Sequence, residues 1–404
     1  MGSSMNSAVS GLRAHQQMLD VVGNNIANVN TPGYKAGRTT FSDILSQTVA
    51  GATAPSASLG GTDPQQVGLG VRTGAITNLF TQGGILTTNK PTDLAIQGEG
   101  FFVLSDGSTN YFTRAGAFEV DAVGDLVDSV TGYRVQGAAG DINISPSATS
   151  PPVATSTATF VGNLDPTVAT SSTYTATIAV NDSLGGSHNL TITFTKTATA
   201  GEFTYATTES DSAMSITAGG SGTILFSGIG AITSGGTGSI TLGFTNGASS
   251  GQVSTLDFGS ASNTTPVTGF DSPSTLALDN QNGYASGTLQ SFSIGTTGSI
   301  NGTFSNGRVQ ALGTLRLATF ANPAGLSKVG TNLFRETSNS GVANVGDAGT
   351  GRRGTLAPGS LEGSNVDLAE EFTKLIVAQR GFQANARVIT TSDEVLQEAV
   401  NLKR

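Results

Sequence analysis

Apolar residues recur every seven positions at both ends of this chain, and that feature constrains its fold more than anything between the ends. Toward the C-terminus, Leu368, Leu375, Phe382, Ile389 and Leu396 share one row, with Phe372, Ala386 and Val400 on an offset row. Toward the N-terminus, Met5, Leu12, Leu19 and Ile26 form one row, and Ala8, His15, Val22 and Val29 its companion. A seven-residue repeat keeps one stripe of a helix turned toward a partner, so each end predicts a coiled-coil helix. Thr31-Pro32-Gly33 stops the first helix, because Pro lacks an amide donor and Gly permits a left-handed exit. Helices of this length are marginal alone in water. The two ends are therefore expected to pair with each other and with copies of themselves, and to become ordered chiefly by that association.

Between the ends the texture is different. The 404 residues include 55 Gly, and only 12% are charged, which suits short strands joined by tight turns and argues against a helical enzyme core. Strand patterns run over 71–80, 94–104, 110–120, 126–130 and 133–136. The turn tokens between them include Gln82-Gly83-Gly84, Ser105-Asp106-Gly107 and Val123-Gly124-Asp125. From Asp141 to Thr275 the one basic residue is Lys196, and Ser, Thr and Gly prevail. Alternation over 174–180 and at Leu190, Ile192 and Phe194, with a turn over 183–186, predicts a second β domain inserted into the first. Strands in the earlier style resume over 276–278, 288–294, 300–304 and 310–320.

The fold class is thus multidomain α+β and mainly β, with a terminal coiled-coil pair, an inner all-β domain and an inserted β-barrel or sandwich. Its divisions fall at 1–33 (helix), 34–72 (extended connector), 73–140 and 276–360 (inner β domain), 141–275 (insertion) and 361–404 (helix).

Several function classes drop out. A net charge of −9, with no basic cluster beyond Arg352-Arg353, disfavours nucleic acid, whose phosphates need clustered cations. There are no cysteines, so disulfides and thiolate metal sites are impossible. The uncharged stretch 212–256 is broken by Gly and hydroxyl residues and does not read as a membrane span. No basic region followed by an apolar run opens the chain, so no cleavable leader is read, and a protein of this kind outside the cell would have left by another route. His15 and His188 have no metal-ligand spacing, and Gly68, Gly70 and Gly74 miss the dinucleotide pattern. Asp121, Asp125 and Asp128 miss the calcium-loop pattern. No catalytic, metal or cofactor residue is assigned.

Two polar patterns stay open between readings. Asn24 and Asn28 lie one helical turn apart beside the apolar seam; they either pair amides between helices or belong to the helix end. Gln379 and Arg380, flanked by apolar residues, either bond to a neighbouring helix or form a solvated face.

At these residues the chain resembles the bacterial flagellar axial family of rod and hook proteins, and within it the hook proteins. The likeness rests on Ser10-Gly11-Leu12, on residues 19–35 with Asn24-Asn25-Ile26-Ala27-Asn28 and Thr31-Pro32-Gly33-Tyr34-Lys35, and on Leu361-Glu362-Gly363-Ser364-Asn365 continuing through Ala378-Gln379-Arg380-Gly381-Phe382 to Leu396. Asp93-Leu94-Ala95-Ile96-Gln97-Gly98 and Tyr111-Phe112-Thr113-Arg114-Ala115-Gly116 resemble the family's inner β domain, and residues 61–71 its hook connector. Without 141–275 the chain would have about the length of a rod protein, so the insertion favours hook.

The resemblance implies a homopolymeric, hollow, curved tube outside the cell, acting as a universal joint between rod and filament. It also implies passage through the flagellar export apparatus and contact with the distal rod, the hook cap and the hook–filament junction proteins. The residues expected to make the self-assembly contacts are Leu12, Leu19, Val22, Asn24, Asn25, Ile26 and Asn28, with Leu368, Phe372, Leu375, Gln379, Arg380, Phe382, Ala386, Ile389 and Leu396. A distal rod protein and a secreted β-rich adhesin are the competing readings.

Overall fold

Pro32 has no amide to offer a helix, and Gly33 takes the left-handed φ of 69° that turns the chain away. In the computed structural model, which describes residues 2–55, 60–260 and 263–401, helix α1 accordingly spans Gly2–Ala27. At the other end α2 spans Leu368–Asn401. It starts at Asp367, whose Oδ1 accepts from the backbone N–H groups of Ala369 (2.8 Å) and Glu370 (3.3 Å), an N-cap reinforced by Glu370 and Glu371 in the first turn. Both helices belong to the first of the chain's two bodies and pair with each other there.

The chain divides into two bodies. The first comprises Met1–Ser145, Phe292–Asn301 and Ala311–Arg404, and the second Pro146–Ser291 with Gly302–Gln310. The sequence pattern placed the insertion at 141–275. The second body instead runs on past Thr275, since Ala277–Gln281 pairs with Thr157–Val161 and closes a sheet that local composition does not reveal.

In the first body the segment read as an extended connector is an out-and-back ribbon. Strand β1 (Gly37–Asp43), β2 (Ser46–Ala50), β3 (Gln65–Gly68) and β4 (Val71–Asn78) pair antiparallel, β1 with β4 and β2 with β3. The pattern over 71–80 thus joins the ribbon and not the inner domain. Its partner lies some thirty residues upstream, beyond the reach of a local periodicity.

The inner β domain is built on one large sheet in which Phe101–Ser105 is central, flanked by Asn110–Thr113 and Arg134–Gly137. Phe101, Phe112, Phe320 and Phe334 bury one face in edge-to-face ring contacts, with Phe112 and Phe320 centroids 4.8 Å apart, and Val103 packs among them. Phe102 packs edge-on against Phe118 at 5.0 Å on the other. Two short pairs, Leu94–Gln97 with Thr355–Pro358 and Ile85–Thr87 with Ser360–Glu362, lead the chain back to α2.

The second body is a β-sandwich. One sheet orders Thr173–Asn181, Ser187–Lys196, Glu202–Glu209, Ser221–Phe226 and Ile232–Ser234. The other contains Met214–Gly219, Thr237–Phe244, Gln252–Asp257, Thr157–Val161 and Ala277–Gln281. Alternate residues of both sheets, among them Phe160, Ile178, Leu190, Ile192, Phe194, Ile224, Ile240, Leu242 and Phe258, meet in one core.

Candidate assembly site

The two terminal helices lie antiparallel against each other through small residues. Ala8, Gly11, Val22 and Asn25 of α1 are buried, and so are Glu371 and Ala378 of α2. There is no room for a side chain at the closest points: a methyl added at Gly11 would fall 2.8 Å from Asn385 Nδ2, and one at Gly381 would fall 2.5 Å from the His15 ring. Asn25 reaches Glu371 across the pair. The register therefore runs Gly11 to Asn385, His15 to Gly381 and Asn25 to Glu371, and the two glycines leave the space that the Asn385 amide and the His15 ring occupy.

The seam is rotated from the rows read in the sequence. Ala8, His15 and Val22 lie on it, but the companions that the structure buries are Gly11 and Asn25, one position before Leu12 and Ile26. Leu12, Leu19 and Ile26 are half-buried on its flank. The rotation follows from a second neighbour of α1, the ribbon. Ser10 Oγ accepts from Val71 N–H (3.1 Å), Gln17 bonds Thr73, and Val21 packs over Gly37.

On α2, Leu375, Ala386 and Ile389 are half-buried, while Leu368, Phe372, Phe382 and Leu396 are exposed, Phe372 by 51%. By the same register Leu396 and Val400 lie past the level of Gly2. Gln379 and Arg380 are exposed. Asn28 Nδ2 donates to Asn24 O and to Asn24 Oδ1, both at 2.9 Å, so within the subunit these two amides bond to each other at the helix end.

Beneath the pair sits a polar junction that the sequence reading quoted as signature residues without assigning them a role. Glu362 is fully buried. Its Oε1 accepts from Lys35 Nζ at 2.6 Å and from Gly83 N–H at 2.9 Å, and its Oε2 from Arg114 Nη1 at 3.3 Å. Lys35 Nζ also donates to Thr81 O (2.7 Å) and Arg114 Nη2 to Gly98 O (2.8 Å). Burial lowers the pKa of both Lys35 and Arg114, and Glu362 opposes that shift in each.

Asn365 Oδ1 accepts from Ala36 N–H (2.8 Å) while its Nδ2 donates to Leu79 O (2.8 Å). Asn25 Oδ1 accepts from Gly37 N–H (2.9 Å) and Tyr34 OH (3.2 Å), and its Nδ2 donates to Gly37 O (2.8 Å) and Glu371 Oε2 (3.0 Å). Burial, and secondarily Glu371, raises the Tyr34 pKa. Gln82-Gly83-Gly84, read as a turn, is part of this junction: a side chain at Gly83 would run into Gly363 O at 2.1 Å.

The end of α1, the root of the ribbon, the inner β domain and the start of α2 are thus tied by side-chain bonds spanning 248 to 346 residues of sequence. A polar residue inside an otherwise apolar helical seam, such as Asn25, and an acid in a strand, such as Glu362, were the available signals. Among the described residues no helix is long and apolar enough to cross a membrane.

Comparison with known proteins covers the chain piecewise and whole. Residues 5–35 match the family "Flagella basal body rod protein", 95–156 "Flagellar hook protein FlgE/F/G D1 domain", 146–284 "Flagellar basal body protein FlaE D2 domain", and 357–402 "Flagellar basal body rod FlgEFG protein C-terminal". The flagellar hook protein FlgE of Treponema pallidum is 39% identical across 100% of both chains. That of Escherichia coli is 36% identical across 99% of this chain and 100% of its own. The flagellar basal-body rod protein FlgG of Bacillus subtilis is 32% identical across 99% of each.

Proposed function

We infer how this subunit assembles from a fixed premise: the chain belongs to the flagellar hook protein FlgE family and is a structural subunit of the bacterial flagellar hook. Membership in a structural family implies no catalytic role. The observation that carries the assembly reading is the division of labour on α2. Small and polar residues meet α1, while Leu368, Phe372, Phe382 and Leu396 are left outward. Apolar rows of this kind on a paired helix are covered by helices of neighbouring copies. Leu12, Leu19 and Ile26 extend the same surface on α1, and Gln379 and Arg380 lie beside it, placed to bond a neighbour's backbone.

The assembled object is a hollow, curved tube in the extracellular part of the flagellum, with the helix pairs innermost. It joins rod to filament as a universal joint. Subunits arrive through the flagellar export apparatus, and the tube meets the distal rod, the hook cap and the hook–filament junction proteins. The outer part of the ribbon, β2 with β3, suits a bending tube, because two strands exposed throughout and without a covering layer are compliant.

Electron microscopy of fibres grown from the full chain tests this. Curved tubes are expected, and a chain lacking residues 368–401 should form none. Straight fibres would move the subunit to the rod side of the family, and tubes built without α2 would overturn the assembly reading.

A further inference from the structure

The sandwich buries an ionisable ring that neither its apolar core nor the assembly surface uses. His188, at the start of Ser187–Lys196, is buried, with its Nε2 3.0 Å from Asp182 Oδ2 and its Nδ1 2.6 Å from Asp211 Oδ2. A neutral imidazole has one N–H and one lone pair. Between two carboxylates, one of its nitrogens would then face oxygen lone pairs, and only the imidazolium donates on both sides.

Asp182 is poorly placed to supply the missing proton. It is fully buried, its Oδ1 accepts from the backbone N–H groups of Leu184 (2.9 Å) and Gly186 (2.7 Å), and its Oδ2 accepts from Asn246 Nδ2 (2.6 Å) as well as from the ring. Desolvation pushes this carboxyl up, yet the bonds from Asn246, His188 and the two amides hold its pKa at about 2. Asp211 is held low by Ala213 N–H and by His188. Burial pushes His188 down, but its bonds to Asp182 and Asp211 outweigh that and raise its pKa. Among the described residues, these two carboxylates are the charged groups at the ring. The strand Thr237–Phe244 and the loop after it contribute the uncharged Phe244 ring, 5.0 Å away, and Asn246.

The location gives the cluster a mechanical meaning. Asp182 lies in the hairpin turn between Thr173–Asn181 and Ser187–Lys196, in one sheet. Asp211 lies on the crossover from Glu202–Glu209 in that sheet to Met214–Gly219 in the other, and Asn246 follows Thr237–Phe244 in the other. The ring and its partners staple the two sheets at one end.

We propose that His188, held as an imidazolium between Asp182 and Asp211, is a proton-operated latch that closes this end of the sandwich and opens as the ring deprotonates in alkaline surroundings. The ring gives its Nδ1 proton to solvent, and Asp211, partly exposed, swings away while Asp182 stays in its buried cradle. A group whose folded pKa is raised stabilises the fold fully below its unfolded value, and that stabilisation is lost as pH rises through the folded value. Asp182, with a depressed pKa, stabilises above the ordinary carboxylate range and fails as pH falls toward about 2. The latch is closed between these limits.

Nitrogen-15 spectra of the imidazoles in the full chain, with signals assigned by their loss in His188→Gln, test the charge state. Both His188 nitrogens should be protonated at neutral pH and titrate above the ordinary histidine range. Amide protection at Ala213 and Met214 should fall about tenfold through the same transition. It should not depend on pH over that range in His188→Gln. A neutral ring at neutral pH, or the same protection profile in wild type and His188→Gln, overturns the proposal. Should His188→Gln not fold, Asp211→Asn should move the His188 titration toward the ordinary value, and an unmoved titration overturns it equally.

Discussion

In the sandwich, Phe160, Phe194 and Phe258 are fully buried within one cluster of rings, with Phe160 and Phe258 centroids 4.9 Å apart. In the helix pair, Phe372, Val377 and Val400 are more than half exposed, and the buried contacts are Ala8, Gly11, Ala378 and Asn25. The sandwich thus satisfies its apolar residues internally, while the pair keeps small and polar residues inside and offers its large apolar residues outward. Where a domain must be stable alone, bulk goes to the core. Where stability is to come from neighbours, bulk is held back for them and the internal contact is reduced to what fixes register. The buried Asn25, with Glu371 opposite, fits that second role, because an unsatisfied amide at any other register would be costly.

The largest expected effect falls on the sandwich. Phe258→Ala should cost about 4 kcal/mol in a denaturation curve of the full chain, through lost burial and the cavity left behind. A loss below about 1 kcal/mol would mean that this core is not the self-sufficient one described.

Glu362→Gln comes next. It leaves Lys35 and Arg114 buried without a counter-charge and should cost roughly 3 kcal/mol. The companion change Lys35→Met should recover part of it, and a double variant no more stable than Glu362→Gln would show that the ion pair is not what holds the junction.

Phe372→Ser sharpens the contrast most directly. It should change monomer stability by less than about 0.5 kcal/mol, as for a surface position, yet abolish sedimentable fibres. A variant that loses stability but still polymerises would place Phe372 inside the subunit and reverse the comparison.

The helices were legible because their information is local. A sevenfold repeat and a Pro-Gly stop each act within a turn or two, and α1 ends near its stop. The second helix, expected from 361, begins instead at Leu368, because Ser360–Glu362 is drawn into a strand pair with the distant Ile85–Thr87. Strand alternation did as well in the hairpin of Thr173–Asn181 and Ser187–Lys196, whose partners are separated by a tight turn. It failed where the partner is distant: for the ribbon, whose β4 resembles a strand of the inner domain, and for Ala277–Gln281, which returns to Thr157–Val161. The seam was displaced by one position because periodicity reports a helix's apolar stripe without saying how many neighbours share it. Asn24 and Asn28 drew attention by their spacing, whereas Asn25 between them is the buried one.

By itself the sequence determined that both ends are amphipathic helices, that short strands fill the middle, and that the terminal motifs belong to one flagellar family. These follow from periodicity and residue type, which act over a few positions. Only the tertiary structure decided that Lys35, Arg114 and Glu362 share one buried site, that Gly11 faces Asn385 and Gly381 the His15 ring, and that Leu368, Phe372 and Phe382 are left outward. The reason is that burial belongs to a set of surfaces brought together from distant parts of the chain. No window of the sequence contains all the members of such a set.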